Sequence, residues 1–214
     1  AQSFGTTDPQ FGLDNGFYVF VLPGLKLVLA AVAILLGVGL VFSVVTHVLM
    51  GGIRITMPVN GRGLFSITKR CRRQLGIWLM LNMFAWAVRQ MIGVFDQLTV
   101  QGSRITGASY TAVHANIPVT FIMAALTAIL GVVLGIWLMR SHTLEGQASI
   151  GVRASAALKA WRVPVTSIAV VVVVGLVLTV AWPVLLQRFR VNPNAQEMES
   201  TYIQRNIDAT RAAY

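Results

Sequence analysis

The sequence predicts an all-α fold: a polytopic membrane helix bundle with four transmembrane helices and a short polar helix after the last. Three observations carry that reading. The chain is 56% hydrophobic and only 11% charged, whereas globular domains carry roughly a quarter charged residues. Its apolar residues fall in four long runs, each reaching the roughly 20 residues that cross a bilayer core. The basic residues concentrate in two of the polar segments between those runs.

The first run, Phe17 to Met50, is interrupted only by Pro23, Lys26 and His47. Its length exceeds one crossing, which predicts a tilted helix or an interfacial piece ahead of the span. The second, 75–95, holds Asn82 and Arg89, while the third, 117–139, carries no charge. The fourth, 163–186, contains five consecutive valines at 170–174. β-branched residues are modest helix formers in water. An apolar run of that length in lipid must nevertheless satisfy its own backbone hydrogen bonds, and a helix does so.

Charge sets direction. The segments 51–74 and 140–162 together hold ten basic residues and one acidic residue. The segments 1–16, 96–116 and 187–214 hold five basic and six acidic residues. Lysine and arginine in short loops favour the cytoplasmic side. Loops 51–74 and 140–162 are therefore expected in the cytoplasm and both ends of the chain outside, in the plasma membrane. The formal net charge of +10 would by itself suit a polyanion, but its placement beside spans argues against nucleic acid as a partner. Lys69, Arg70, Arg72 and Arg73, in KRCRR, read as orientation determinants that contact anionic lipid.

Ionisable and amide side chains at membrane depth are the default functional candidates. Lys26 lies near the outer end of the first span, within snorkelling reach of the headgroups. His47 lies near the inner end, as a neutral hydrogen-bonded residue or a proton relay. Asn82 sits deep in the second span. Arg89 either snorkels outward or faces the bundle interior, and no span offers it a carboxylate.

Chemistry-bearing constellations are not evident. The single cysteine, Cys71, reads as a loop thiol, and His47, His114 and His142 share no metal-ligand spacing. No serine stands in a nucleophile-elbow context. GGIR at 51–54 and NGRG at 60–63 are turn signals. The GxxxG spacing of Gly131 and Gly135 points to close helix packing. No catalytic, cofactor or metal residue is assigned.

Aromatic residues Phe11, Phe17, Tyr18 and Phe20 suit a headgroup belt before the first span, and Tyr110 suits the same level in the second outer segment. After the fourth span, Pro193 cannot continue a helix. Asn194 followed by Glu197 has the spacing of an N-cap with an acidic third residue. The expected helix places Ala195, Met198, Tyr202, Ala209 and Ala213 on one face, packed against a neighbouring domain in preference to lying on lipid. Glu197, Gln204, Asp208 and Arg211 fall on the other. The chain thus divides into a membrane region, 1–189, and an extracytoplasmic connector, 190–214. A first residue that is not methionine and a helix running to Tyr214 read as a piece of something longer.

Several phrases together are distinctive: DPQFGLDNGFYVFVLP at 8–23, HVLMGGIRI at 47–55, TGASYT at 106–111 and RVNPNAQEMESTYIQRNIDATRAAY at 190–214. The last includes Asn192, Pro193, Asn194, Tyr202, Arg205 and Arg211 in a long, unusual motif. The chain resembles uncharacterised protein family 0182, large multi-pass membrane proteins of actinobacteria. It departs from that pattern at AVRQMIGVF, 87–95, and at Ala112. The resemblance implies membrane helices ahead of a large extracytoplasmic region, and neighbouring genes for a secreted protease, but no catalytic residues. The expected function is to anchor and orient that external region within an envelope-associated complex. Membrane lipids and other membrane or envelope proteins, a secreted protease among them, are the expected partners. The alternative is a transporter or channel for a lipid or other amphiphile, which needs Arg89 to face a cavity.

Overall fold

The computed structural model describes residues 3–55, 65–99, 107–141 and 150–213. Helix α1 covers Leu22–Leu49, α2 Lys69–Gly93, α3 Ile117–Arg140, α4 Ile150–Leu176, α5 Trp182–Leu186 and α6 Ala195–Ala213. Strands β1, Ile53–Ile55, and β2, Phe65–Ile67, form a short antiparallel ribbon with Arg54 opposite Ser66. The fold is otherwise helical, as composition predicts; the ribbon was not foreseen, because three-residue strands carry too little periodicity to read.

Among the described residues, four stretches are long and apolar enough to span a membrane: Phe17–Leu49, Lys69–Leu98, Ala112–Arg140 and Trp161–Val191. They contain 33, 30, 29 and 31 residues, or about 45–50 Å of helix at 1.5 Å per residue, more than the roughly 30 Å hydrocarbon core. Large apolar side chains such as Leu27, Leu35, Phe42, Val170 and Val173 point outward, as lipid rather than water requires. This is a multi-pass membrane protein.

Prolines explain where the helices loosen. Wide turns of π type occupy Phe17–Val21, Ala112–Asn116, Val177–Ala181 and Gln187–Val191. Each ends two residues before a proline: Pro23, Pro118, Pro183 and Pro193. The residue preceding each proline donates five residues back, as Leu22 does to the Phe17 carbonyl and Trp182 to that of Val177. Proline has no N–H and its ring crowds the carbonyl four residues earlier, so the ladder slips by one residue rather than breaking. Pro164 is accommodated inside α4 without such a turn.

Two compact units are present. The first comprises Ala1–Ala30, Ala87–Ala125 and Val173–Tyr214; the second comprises Ala31–Trp86 and Leu126–Val172.

The second unit is held by close backbone approach and polar clips. A Cβ on Gly76 would lie 2.8 Å from the Gly135 carbonyl oxygen, and one on Gly135 would lie 2.9 Å from the Gly76 oxygen. Gly131 accommodates Met83 and Gly39 the ring of Trp78 in the same way, so α2 meets α1 and α3 through small residues. The Asn82 side-chain amide donates to the carbonyls of Trp78 at 2.8 Å and Leu36 at 3.3 Å. At the end of α1, Gly51 adopts φ +71°, with Gly51 N donating to Val48 and Gly52 N to His47. That is a Schellman termination, and the left-handed residue favours glycine.

In the first unit, Phe11 and Phe17 pack edge-on against Phe95 at 5.1 and 5.3 Å, and Tyr18 at 6.3 Å. Three aromatics expected in a headgroup belt are thus partly spent on an internal cluster, while Phe20 stays exposed. Two aspartates stitch the loop ahead of the first span. Asp8 accepts from the amides of Gln10, Phe11 and Leu13 and from the Tyr18 hydroxyl. Asp14 accepts from Ser3, Phe4, Gly5 and Gly16.

Candidate functional site

In the first unit, α6 is tied to other segments by polar contacts far apart in the sequence. Pro193 ends the preceding helical stretch and the Asn194 carbonyl accepts from Met198 N at 3.0 Å, opening the new helix. Asn192 accepts from the Gln187 side chain at 3.1 Å. Glu197 lies in the first turn, where a carboxylate opposes the positive end of the helix dipole.

The packed face of α6 differs from the expected one. Ala195, Met198, Glu199, Tyr202, Arg205 and Asn206 are buried or half-buried, while Ala209 is exposed. These positions follow the helical period, but half of them are polar and two are charged. Hydrophobic patterning placed Ala195, Met198 and Tyr202 on this face but missed Glu199 and Arg205, which hydrogen bonds turn inward. Glu197, Gln204, Asp208 and Arg211 are exposed as expected.

The inward polar residues reach two segments, the stretch that leads into the third span and the amino-terminal loop. Glu199, 7% exposed, accepts a hydrogen bond from Tyr110 N at 3.3 Å. The Tyr202 hydroxyl lies 3.5 Å from His114 Nδ1. That nitrogen also donates to the Tyr110 carbonyl at 3.1 Å, and the Tyr110 and His114 rings stack with centroids 4.0 Å apart. Burial pushes the Tyr202 phenol above its ordinary pKa, against a smaller opposing effect of Arg205. Arg205 Nη1 donates to Gln10 Oε1 at 3.4 Å, and its guanidinium sits 5.5 Å from the Tyr202 ring centroid. Thr111 donates to the Gln187 side-chain oxygen beneath them. A cavity of about 360 Å³ lies beside this face, lined by residues of the amino-terminal loop, the end of the second span and α6.

The membrane-depth candidates do not gather at one place. Lys26 makes an ion pair with Asp96 rather than only snorkelling. The charge pattern puts Asp96 in the outer segment 96–116, but the second span's helix winds on through Val94–Leu98 and presents it to Lys26. His47 Nε2 donates to Gln74 Oε1 at 3.0 Å, a satisfied interfacial histidine. Asn82 clips two helices as described. Arg89 is exposed on α2 and is not among the residues lining the cavity.

Among the basic residues of KRCRR, Lys69, Arg70 and Arg73 are exposed. Arg72 departs from the lipid-contact expectation: it is fully buried and donates to the Ser141 carbonyl, tying the start of α2 to the end of α3. A charge count cannot separate a surface arginine from one that caps a neighbouring helix. Cys71 beside it is also buried. Among the described residues, no three His, Cys, Asp or Glu side chains converge as a metal site would.

The family model described as Uncharacterised protein family (UPF0182) matches residues 1–214. A UPF0182 protein of Bifidobacterium adolescentis is 78% identical over 214 residues, covering 100% of this chain and 20% of that relative. A UPF0182 protein of Corynebacterium glutamicum is 34% identical over 213 residues, again 100% of this chain and 20% of the relative. One from Mycobacterium tuberculosis is 31% identical over 214 residues, 99% of this chain and 20% of the relative. The chain therefore spans about a fifth of the length of the relatives it matches. No solved structure matches it. With a family match along its whole length and four apolar spans, the chain belongs to the uncharacterised protein family UPF0182, as a multi-pass membrane segment.

Proposed function

We propose that this segment anchors and orients a large extracytoplasmic region in the plasma membrane, as part of an envelope-associated complex. One observation carries the reading: α6 does not leave the membrane segment as a free arm. Its Glu199 and Tyr202 bond to the segment that leads into the third span, and its Arg205 bonds to the amino-terminal loop. A helix fixed this way transmits the orientation of the spans to whatever follows it. In this reading both ends of the segment lie outside, loops 51–74 and 140–162 lie in the cytoplasm, and these residues do no chemistry of their own. The charge asymmetry between the loops supports that direction. Envelope proteins, a secreted protease among them, are the proposed partners.

The test uses the full-length protein from native membranes. Protease shaving of intact cells should remove a large external fragment, and purification in mild detergent should retain envelope proteins. A solitary, monodisperse protein that conducts ions or moves lipid in liposomes would overturn the reading in favour of transport.

A further inference from the structure

We propose that the cavity beside α6 binds the acidic headgroup of an anionic lipid, a phosphate or carboxylate held by Arg205. The inference does not rest on the anchoring reading, because it needs only the geometry of the first unit.

The cavity is lined by one acid and one base, and the two differ in how many of their polar atoms are already engaged. Asp8 is the acidic residue lining it, and its oxygens are already engaged by three backbone amides and the Tyr18 hydroxyl at 2.7–3.3 Å. Arg205 has only neutral neighbours in hand, the Gln10 amide oxygen at 3.4 Å and the face of Tyr202. No carboxylate lies within ion-pair distance of it among the described residues. A half-buried guanidinium retains several directed donors, whose planar fork matches a phosphate or carboxylate.

Place and size narrow the ligand. Tyr18 and Val19 belong to the turn that opens the first span, and Leu98 ends the helical stretch of the second. The cavity therefore sits where apolar spans meet polar segments, and Pro9, Val19, Leu98, Ala108 and Ala209 give it apolar walls. A volume of about 360 Å³ is at the small end of ligand sites, roughly 300–1,000 Å³. It takes a headgroup with the first carbons of its chains, the tails remaining in the bilayer.

The experiment places the purified protein in phosphatidylcholine nanodiscs with and without phosphatidylglycerol. Native mass spectrometry counts retained lipid, and a parallel arm adds inorganic phosphate. Wild type is expected to retain phosphatidylglycerol in preference to phosphatidylcholine, and inorganic phosphate should not displace it. Arg205→Ala should lower that preference roughly tenfold, the scale of one charge-assisted phosphate contact, while Arg205→Lys keeps part of it. Ala209→Trp fills the cavity from an exposed position, leaves the Arg205 contacts in place, and should also abolish retention. Arg211→Ala removes an exposed charge from the same helix and should change nothing. If Arg205→Ala fails to fold, the lysine and tryptophan variants decide. Equal retention in wild type and Ala209→Trp would overturn the proposal, and displacement by inorganic phosphate would overturn the lipid assignment.

Discussion

The carboxylate of Glu199 accepts a hydrogen bond from the backbone N–H of Tyr110, 89 residues earlier in the chain. Glu199 is nearly inaccessible, so this is a desolvated, charge-assisted bond rather than a surface contact. It fixes the second turn of α6 against the segment that leads into the third span. The adjoining stack of Tyr110 on His114, with Tyr202 above it, closes the same joint.

The approach of Gly76 to Gly135 predicts a sharp size limit. A methyl at residue 135 would sit 2.4 Å from Met80 Cγ and 2.9 Å from a backbone oxygen that cannot move aside. Gly135→Ala should lower stability by about 1–3 kcal/mol, the usual cost of overpacking, seen as a reduced melting temperature in detergent. Gly37→Ala is the control. Nothing lies within 4 Å of the new methyl, and the gain in helix propensity should leave stability unchanged or raise it by up to about 1 kcal/mol.

Neighbouring arginines should separate by readout. Arg73→Ala should weaken binding to phosphatidylglycerol vesicles by about 1 kcal/mol with little change in melting. Arg72→Ala, which removes the buried donor to the Ser141 carbonyl, should do the reverse, costing about 1–3 kcal/mol of stability with vesicle affinity held.

The Lys26–Asp96 pair is 38% and 44% exposed, so its coupling should be small. A double-mutant cycle with Lys26→Met and Asp96→Asn should give about 1 kcal/mol or less.

Asp14 makes a pH prediction for the loop ahead of the first span. The Ser3 hydroxyl, helped by the Phe4, Gly16 and Gly5 amides, lowers its pKa from 3.8 to about 2. A depressed carboxylate stabilises the fold fully above its unfolded pKa, and that contribution disappears as pH falls through about 2. Carboxyl-labelled NMR should show Asp14 titrating near the lower value. Ser3→Ala should move the midpoint toward 3.8.

The spans were legible because lipid imposes one rule, a long apolar run, that survives without tertiary information. Their ends were not. The second apolar run stops at Phe95, yet the helix winds on to Leu98 and delivers Asp96 to Lys26, since a helix end can carry charges that a hydropathy run excludes. Close helix packing at Gly131 and Gly135 followed from their spacing, but their partner, α2, did not. For α6, Pro193 and Asn194 marked the start correctly, and Ala195, Met198 and Tyr202 marked part of the packed face, but its charged members were not visible. Glu199 and Arg205 point inward because specific acceptors and donors meet them, and periodicity of apolar residues carries no trace of that. Arg72 was hidden for the same reason.

Hydrogen exchange of α6 in the full-length protein, reconstituted in nanodiscs, tests the central claim most directly. Docking by Glu199 and Tyr202 predicts that amides 199–206 exchange slowly in wild type. It also predicts faster exchange in Glu199→Ala, by roughly the tenfold or more that a lost buried bond of about 1–3 kcal/mol implies, with the spans unaffected. Fast exchange of α6 in wild type, or the same protection in wild type and Glu199→Ala, would contradict the claim that this helix is fixed to the membrane segment.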